Sequence, residues 1–205
     1  TAFTFMTLFI ARLGTQASAA HQIAANFAAL IFMLPLALGS AVGVLVGQAL
    51  GAGDARRARL AGQIGLIAAS LMASVLSAIV LLGRTTIASL YSIDDGVSAL
   101  AAQLLLLVAI YHLVDAVQTV ALNVLRGYKR TVVPMIAYTV ALWGVGLGGG
   151  YWLGLTSIGR EGLSHIGLAA PLGAAGFWIA AIASLGLAGV LVISYFLAIS
   201  RPSRQ

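Results

Sequence analysis

The chain has 205 residues, of which 61% are hydrophobic and 8% charged, and its mean hydropathy is +1.05. This composition is typical of an integral membrane protein and excludes an ordinary soluble domain. The net charge of +6 comes from Lys and Arg residues at the ends of apolar runs, which suits lipid headgroups and cytoplasmic loops and argues against a nucleic acid partner. There is no cysteine, and the three histidines have no metal-binding spacing, so no metal cluster and no cofactor is predicted.

Six apolar segments follow one another along the chain, at approximately 1–13, 21–50, 60–82, 98–124, 131–156 and 174–199. About twenty residues are needed to cross about 30 Å of hydrocarbon, so the first segment is too short to span. It also lacks an initial Met, and we expect the chain to begin inside a helix whose start is missing. The second segment is longer than the minimum, and Pro35 predicts a kink in it. The runs are too long for the strands of an outer-membrane barrel, so the predicted fold class is an all-α integral membrane protein with a six-helix transmembrane bundle.

The loops between these segments differ in their basic residues. Eight Lys or Arg residues lie in the breaks GAGDARRAR and RGYKRT and in the C-terminal RPSRQ, which fall on one side of the bundle. The opposite side has three, namely Arg12, Arg84 and Arg160. The positive-inside rule therefore predicts that the basic loops and the C-terminus are cytoplasmic.

The second segment carries a row of glycines at a spacing of four, Gly39, Gly43, Gly47 and Gly51. Bare backbone lets a neighbouring helix approach closely, so this row predicts helix packing, either permanent or as a track along which a helix slides. A second glycine cluster at 144–150 in the fifth segment predicts either close packing or a bend, because glycine weakens a helix by about 0.5–1 kcal/mol per residue relative to Ala.

Asp115 is the only acidic residue within an apolar run. Five polar or aromatic residues share its helical face at spacings of three, four and eight: Tyr111, His112, Gln118, Thr119 and Asn123. Gln22 and Asn26 form a second polar pair, on one face of the second segment. These side chains are the candidate lining of a polar cavity.

An aspartate at the centre of a membrane helix costs roughly 2.5–3.5 kcal/mol, so Asp115 should face the bundle interior or a water-filled cavity. There it can exchange a proton or coordinate a small cation such as Na⁺ with neighbouring oxygens, and either process couples ion flow to conformational change. The alternative is an acid that only forms hydrogen bonds between helices. His112 likewise fits either a helix-to-helix hydrogen bond or a proton carrier.

Two long stretches of the chain resemble a known family. AAHQIAANFAALIFMLPLALGSAVGVLVGQALGAGD and LLLLVAIYHLVDAVQTVALNVLRGYKRT resemble the eighth and tenth helices of multidrug and toxic compound extrusion (MATE) transporters of the NorM type. AAHQ at 19–22, VGQALGAGD at 46–54, Asp115 and RGYK at 126–129 occur in the family's order. The resemblance covers residues 1–205 and identifies them as helices seven to twelve, the C-terminal lobe of a twelve-helix protein, with the first helix truncated at about 1–13.

The resemblance implies a secondary antiporter of the bacterial inner membrane in which two six-helix lobes enclose a central cavity. Such a protein exports lipophilic or cationic compounds in exchange for Na⁺ or H⁺ by alternating access. The family's cation site falls on Asp115 and Tyr111, and its seventh-helix glutamate would lie just upstream of Thr1. The family's GLPxGY pattern reads GLGGGY at 146–151, so Gly148 replaces a proline kink.

Two other classes compete with this interpretation. An exporter of lipid-linked oligosaccharides or polysaccharides from the same superfamily would share the bundle, but it would be expected to have a more basic cavity. An intramembrane enzyme would need an acid pair, a Ser-based dyad or a metal cluster, and the sequence offers none of these.

Overall fold

The computed structural model describes residues 2–156 and 172–200. Within them the chain forms α1 (Ala2–Ala11), α2 (Thr15–Gly51), α3 (Ala55–Tyr91), α4 (Asp95–Gly127), α5 (Val132–Leu155) and α6 (Ala174–Ile199). Helices α2 to α6 are long and apolar enough to cross a membrane, and no strand occurs in the described ranges. The predicted all-α membrane bundle is therefore confirmed. The basic residues Arg160, Arg201 and Arg204 lie outside the described residues.

Helices α3 and α4 begin before the apolar segments, at polar residues that cap their N-terminal ends. The carboxylate of Asp54 accepts a hydrogen bond from the backbone N–H of Arg57 at 2.8 Å, and Asp94 does the same for Val97 at 2.9 Å. These caps start α3 and α4. Helices α2 and α3 have 37 residues each, about 55 Å at 1.5 Å per residue, so they are longer than the hydrocarbon layer. Pro35 lies buried within α2, and the helix continues past it.

The turn between α2 and α3 is short and depends on one glycine. Gly53 has a φ of +76°, in the left-handed region that glycine adopts without steric cost. The N–H of Asp54 donates to the carbonyl of Ala49 at 2.9 Å, which closes the end of α2 in the manner of a Schellman cap. This turn brings α3 back against α2.

Helix α4 lies at the centre of the bundle and packs against α2, α3 and α6. Gly43 of α2 and Gly127 of α4 allow these two backbones to approach, because a Cβ on Gly127 would lie 2.7 Å from the Gly43 carbonyl oxygen. The hydroxyl of Ser77 on α3 donates to the carbonyl of Ala109 on α4 at 2.7 Å. At the other side of the bundle, Thr7 of α1 is hydrogen-bonded to the buried ring of His21 on α2 at 3.2 Å.

Helix α5 changes its geometry at the glycine cluster. Its ends, Val132–Val140 and Gly149–Leu155, are α-helical, while Ala141–Gly148 between them is π-helical. The close packing predicted for the cluster occurs at Gly146, where an added Cβ would lie 2.9 Å from the hydroxyl of Ser184 on α6. At Gly150 the ring of Phe177 on α6 would lie 2.6 Å away. Gly146 within the π-helical segment and Gly150 just after it therefore let α6 pack closely against α5.

Candidate functional site

A cavity of about 380 Å³ lies between α1, α2, α4 and α5. Asp115 opens into it from the middle of α4 although its side chain is only 7% exposed. The rest of the lining is aromatic or small: Phe3, Ala25, Ala28, Ala29, Phe32, Tyr111 and Tyr138. The carboxyl group is the one titratable acid in a lining that is otherwise apolar apart from two phenol hydroxyls.

Tyr111 lies one turn before Asp115 on the same face of α4 and lines the same cavity. Its ring meets the ring of Trp178 on α6 edge-on, with centroids 5.5 Å apart. It also meets Phe3 of α1 edge-on at 6.2 Å. Because Trp178 is fully buried, these contacts fix the position of the Tyr111 ring in the cavity that Asp115 also lines.

Tyr138 of α5 is a third polar member of the cavity that the sequence did not single out. It precedes the π-helical segment Ala141–Gly148 by three residues. A tyrosine in an apolar segment is usual in membrane helices, so nothing in its sequence context separated it from other aromatic residues. Only the packing of α5 against the bundle brings its ring to the cavity.

Three other predicted members of the polar face of α4 are buried but do not line this cavity: His112, Gln118 and Thr119. Gln118 instead packs against α6, where an added Cβ on Gly189 would lie 3.6 Å from its Cβ. Nε2 of His112 and Nε2 of Gln118 are buried without a hydrogen-bond partner among the described residues. All three side chains are buried outside this cavity, and their place in the lining of a cavity shared with a second lobe stays a prediction.

Gln22 and Asn26 of α2 are also absent from the cavity lining. Both are exposed, and Oδ1 of Asn26 accepts a hydrogen bond from the hydroxyl of Tyr91 on α3 at 3.1 Å. The face of α2 that meets the cavity consists of Ala25, Ala28 and other small or aromatic residues. These two residues lie outside this cavity, and their place in the lining of a cavity shared with a second lobe stays a prediction.

The glycine row of α2 is in contact over only half of its length. An added Cβ on Gly39 would lie 2.8 Å from Nδ2 of Asn123, and one on Gly43 would lie 2.8 Å from the Asn123 carbonyl oxygen. At Gly47 and Gly51 an added Cβ would meet no atom within 4 Å in the described part of the chain. Gly39 and Gly43 therefore lie against α4, which ends at Gly127 opposite Gly43 and Val46, and helix packing at Gly47 and Gly51 stays a prediction.

The cavity offers one carboxylate, two phenol oxygens and aromatic rings. None of its lining residues is basic, and the described residues contain no cluster of three His, Cys, Asp or Glu side chains that could hold a metal. This arrangement suits a proton or a singly charged cation at Asp115, with the aromatic faces available to a lipophilic cation.

Comparisons with known proteins agree with the helical bundle. The chain is 42% identical over 189 residues to the probable multidrug resistance protein NorM of Aromatoleum aromaticum, which is 92% of this chain and 39% of that protein. It is 42% identical to the multidrug resistance protein PmpM of Pseudomonas aeruginosa, covering 93% of this chain and 38% of that protein. For the multidrug resistance protein NorM of Vibrio cholerae the identity is 40%, over 94% of this chain and 40% of that protein.

A crystal structure of the eukaryotic MATE transporter AtDTX14 superposes with a TM-score of 0.84 at 20% identity, over 96% of this chain and 41% of that one. At that identity the likeness establishes the fold. The chain spans about two fifths of the length of these relatives. The MatE family model matches residues 1–152, close to three quarters of the 205 residues, and the chain therefore belongs to the MatE family.

Proposed function

We propose that residues 1–205 form the C-terminal lobe of a secondary multidrug efflux antiporter and that Asp115 is its ion-coupling residue. As a member of a transporter family the chain is not an enzyme. Together with an N-terminal six-helix lobe it would export lipophilic or cationic compounds in exchange for Na⁺ or H⁺. The observation that carries the proposal is the opening of Asp115, with Tyr111 and Tyr138, into a cavity of about 380 Å³.

The geometry supports coupling because the carboxylate is both accessible and costly to charge. An ion that binds Asp115 neutralises a carboxylate in a low-dielectric surrounding, so its affinity depends on whether the cavity is open to water. A ligand shifts a conformational equilibrium only through different affinities for the two states. Helix α5, which brings Tyr138 to the cavity, also contains the π-helical segment, a feature that often occurs at functional sites.

The charge of the cavity favours drug export over the alternative, an exporter of lipid-linked oligosaccharides or polysaccharides. A pyrophosphate-linked substrate would be expected to bind to Arg or Lys, and the lining contains neither. Two tyrosines and two phenylalanines beside one acid suit a lipophilic cation.

The proposed orientation places the α2–α3 and α4–α5 loops and the C-terminus in the cytoplasm of a bacterial inner membrane. Six basic residues lie at the ends of α2 to α5 on that side, against Arg12 and Arg84 on the other side of the described bundle. Single cysteines at the fully exposed Ile93 and at Ala55 test this orientation in intact cells. An impermeant thiol reagent should label Ile93→Cys and leave Ala55→Cys unmodified, and the reverse pattern would refute the orientation.

The coupling role is tested by Asp115→Asn in the full-length protein, with Asp115→Glu beside it. The asparagine keeps the shape of the side chain and removes its charge, so expression and membrane insertion should be unchanged or improved. Dye efflux driven by a Na⁺ or H⁺ gradient should be lost in Asp115→Asn and partly retained in Asp115→Glu.

Asp95→Asn is the matched control, since Asp95 is an exposed aspartate in the first turn of the same helix. It should keep wild-type efflux. Normal gradient-dependent efflux by a well-expressed Asp115→Asn protein would show that the carboxylate has a structural role only.

A further inference from the structure

A groove of about 520 Å³ lies between α2 and α3 on the side of the α2–α3 loop. It extends from Leu38 to Ala52 on α2 and from Arg57 to Ala68 on α3. At 1.5 Å per residue these stretches are about 21 Å and about 17 Å long. One leaflet contributes about 15 Å of hydrocarbon, half of about 30 Å, so the groove is at least as long as one leaflet is deep.

The lining of the groove changes from apolar to polar along this length. Leu45, Leu60 and Ile64 form exposed apolar walls. At the floor of the groove Gly65 of α3 lies against Val42 of α2. An added Cβ on Gly65 would be 2.6 Å from a methyl carbon of this valine. The groove is therefore a narrow apolar channel between two helices with its side open to the surroundings.

The polar lining, Gln48 and Arg57, lies at the loop end of the groove. Two further arginines, Arg56 and Arg59, lie in the same turn region, and Asp54 is the one acid beside them. Three positive charges and one negative charge leave this end with a formal charge of +2. Oδ1 of Asp54 accepts a hydrogen bond from the backbone N–H of Arg57. This cap does not involve the guanidinium of Arg57.

The groove and the Asp115 cavity lie on different sides of α2. The cavity uses Ala25 to Phe32 and the groove uses Leu38 to Ala52. At 100° per residue, the mean directions of the two sets of lining residues differ by roughly 150°. A second lobe that closes the cavity would therefore leave the groove on the lipid-facing side.

We propose that this groove binds an anionic phospholipid, with an acyl chain between α2 and α3 and its phosphate at Arg57. The apolar channel matches the depth of one leaflet, and its only cationic lining residue lies where the headgroup would be. Basic pockets between membrane helices bind anionic headgroups, and a zwitterionic lipid would gain less from the charge of +2 at this end.

The test uses the full-length protein in mixed micelles, with lipid binding followed by native mass spectrometry and by the thermal unfolding midpoint. The probes are phosphatidylglycerol, phosphatidylcholine with the same acyl chains, and glycerol 3-phosphate without acyl chains. Arg57→Gln should weaken phosphatidylglycerol binding about fivefold, the equivalent of about 1 kcal/mol for one arginine at the membrane surface. Arg56→Gln, the adjacent arginine outside the lining, removes the same surface charge and is the matched control, and it should weaken binding less than Arg57→Gln does.

Ala41→Leu tests the apolar part of the groove, because Ala41 is an exposed lining residue that can be enlarged without disturbing the core. It should weaken the binding of both phospholipids. Equal losses in Arg56→Gln and Arg57→Gln would indicate diffuse surface charge and overturn the site. Stabilisation by glycerol 3-phosphate equal to that by phosphatidylglycerol would indicate an anion site without an acyl chain. Unchanged binding in Ala41→Leu would show that the groove is covered by protein or unused, which would also overturn the proposal.

Discussion

Replacing Gly43 by alanine tests the contact between α2 and α4 at the closest approach of their backbones. The added Cβ would lie 2.8 Å from the carbonyl oxygen of Asn123 and must move about 0.6 Å away to reach the 3.4 Å of ordinary contacts. The obstacle is backbone, so no rotamer change relieves it and α4 itself must shift. A Cβ on Gly127 would lie 2.7 Å from the Gly43 carbonyl oxygen, so the helices are equally close from the other side.

Overpacking of this kind costs about 1–3 kcal/mol. Gly47→Ala is the matched control, because the same substitution one turn later meets no atom within 4 Å among the described residues. That variant should gain about 0.5–1 kcal/mol from the better helix propensity of alanine. We therefore expect a lower unfolding midpoint in detergent for Gly43→Ala and an equal or higher one for Gly47→Ala, measured on the full-length protein. A Gly43→Ala protein as stable as wild type, or equal losses in both variants, would refute the contact inferred from the backbone geometry.

Two further predictions concern single hydroxyl groups. Tyr138→Phe keeps the ring in the cavity and removes its phenol oxygen, so efflux should fall several-fold at normal expression. The control is Tyr151→Phe, because Tyr151 is an exposed tyrosine of the same helix outside the lining, and this variant should behave as wild type. Equal efflux rates for both would exclude a role for the Tyr138 hydroxyl. Ser77→Ala removes the buried hydrogen bond to the carbonyl of Ala109 on α4 and should lower the free energy of unfolding by about 1 kcal/mol. The hydroxyl of Ser74 donates to a carbonyl within α3, so Ser74→Ala should lower it by less than half as much. A denaturation series that ranks the two variants in the opposite order would contradict the Ser77 contact.

Much of the fold was predictable because hydrophobic length is a strong signal in a membrane chain. All six apolar segments are found as helices, and the caps at Asp54 and Asp94 explain why α3 and α4 begin before the hydrophobic windows. The π-helical segment Ala141–Gly148 was not predicted. Glycine content indicates that a helix is weak, but it does not specify which hydrogen-bonding pattern the weakened part adopts.

The glycine row of α2 likewise does not show from sequence alone which of its members contact another helix. A spacing of four places the four glycines in one stripe along α2, and this spacing predicts the same helix packing for each of them. Whether a neighbour occupies the stripe depends on where that neighbour ends. Helix α4 ends at Gly127, which lies opposite Gly43 and Val46, so the row loses its partner before Gly47.

The centre of the candidate site stands out in the sequence, whereas the residues that surround it in the cavity do not follow from helix spacing. Asp115 stands out because an acid in hydrocarbon is costly, and Tyr111 lies only about 40° from it around α4. Thr119 lies about 40° away on the other side, and His112 and Gln118 lie about 60° to either side, yet none of the three lines the cavity, so the angle around α4 alone does not select the lining. A polar face read from spacing alone is about 120° wide, whereas in the bundle the aromatic contacts of Trp178 and the small residues of α2 leave a narrower opening onto α4. Under the proposed coupling role of Asp115, we expect substitutions at His112 or Gln118, which lie outside the cavity lining, to act through helix packing and to leave the ion dependence of efflux unchanged.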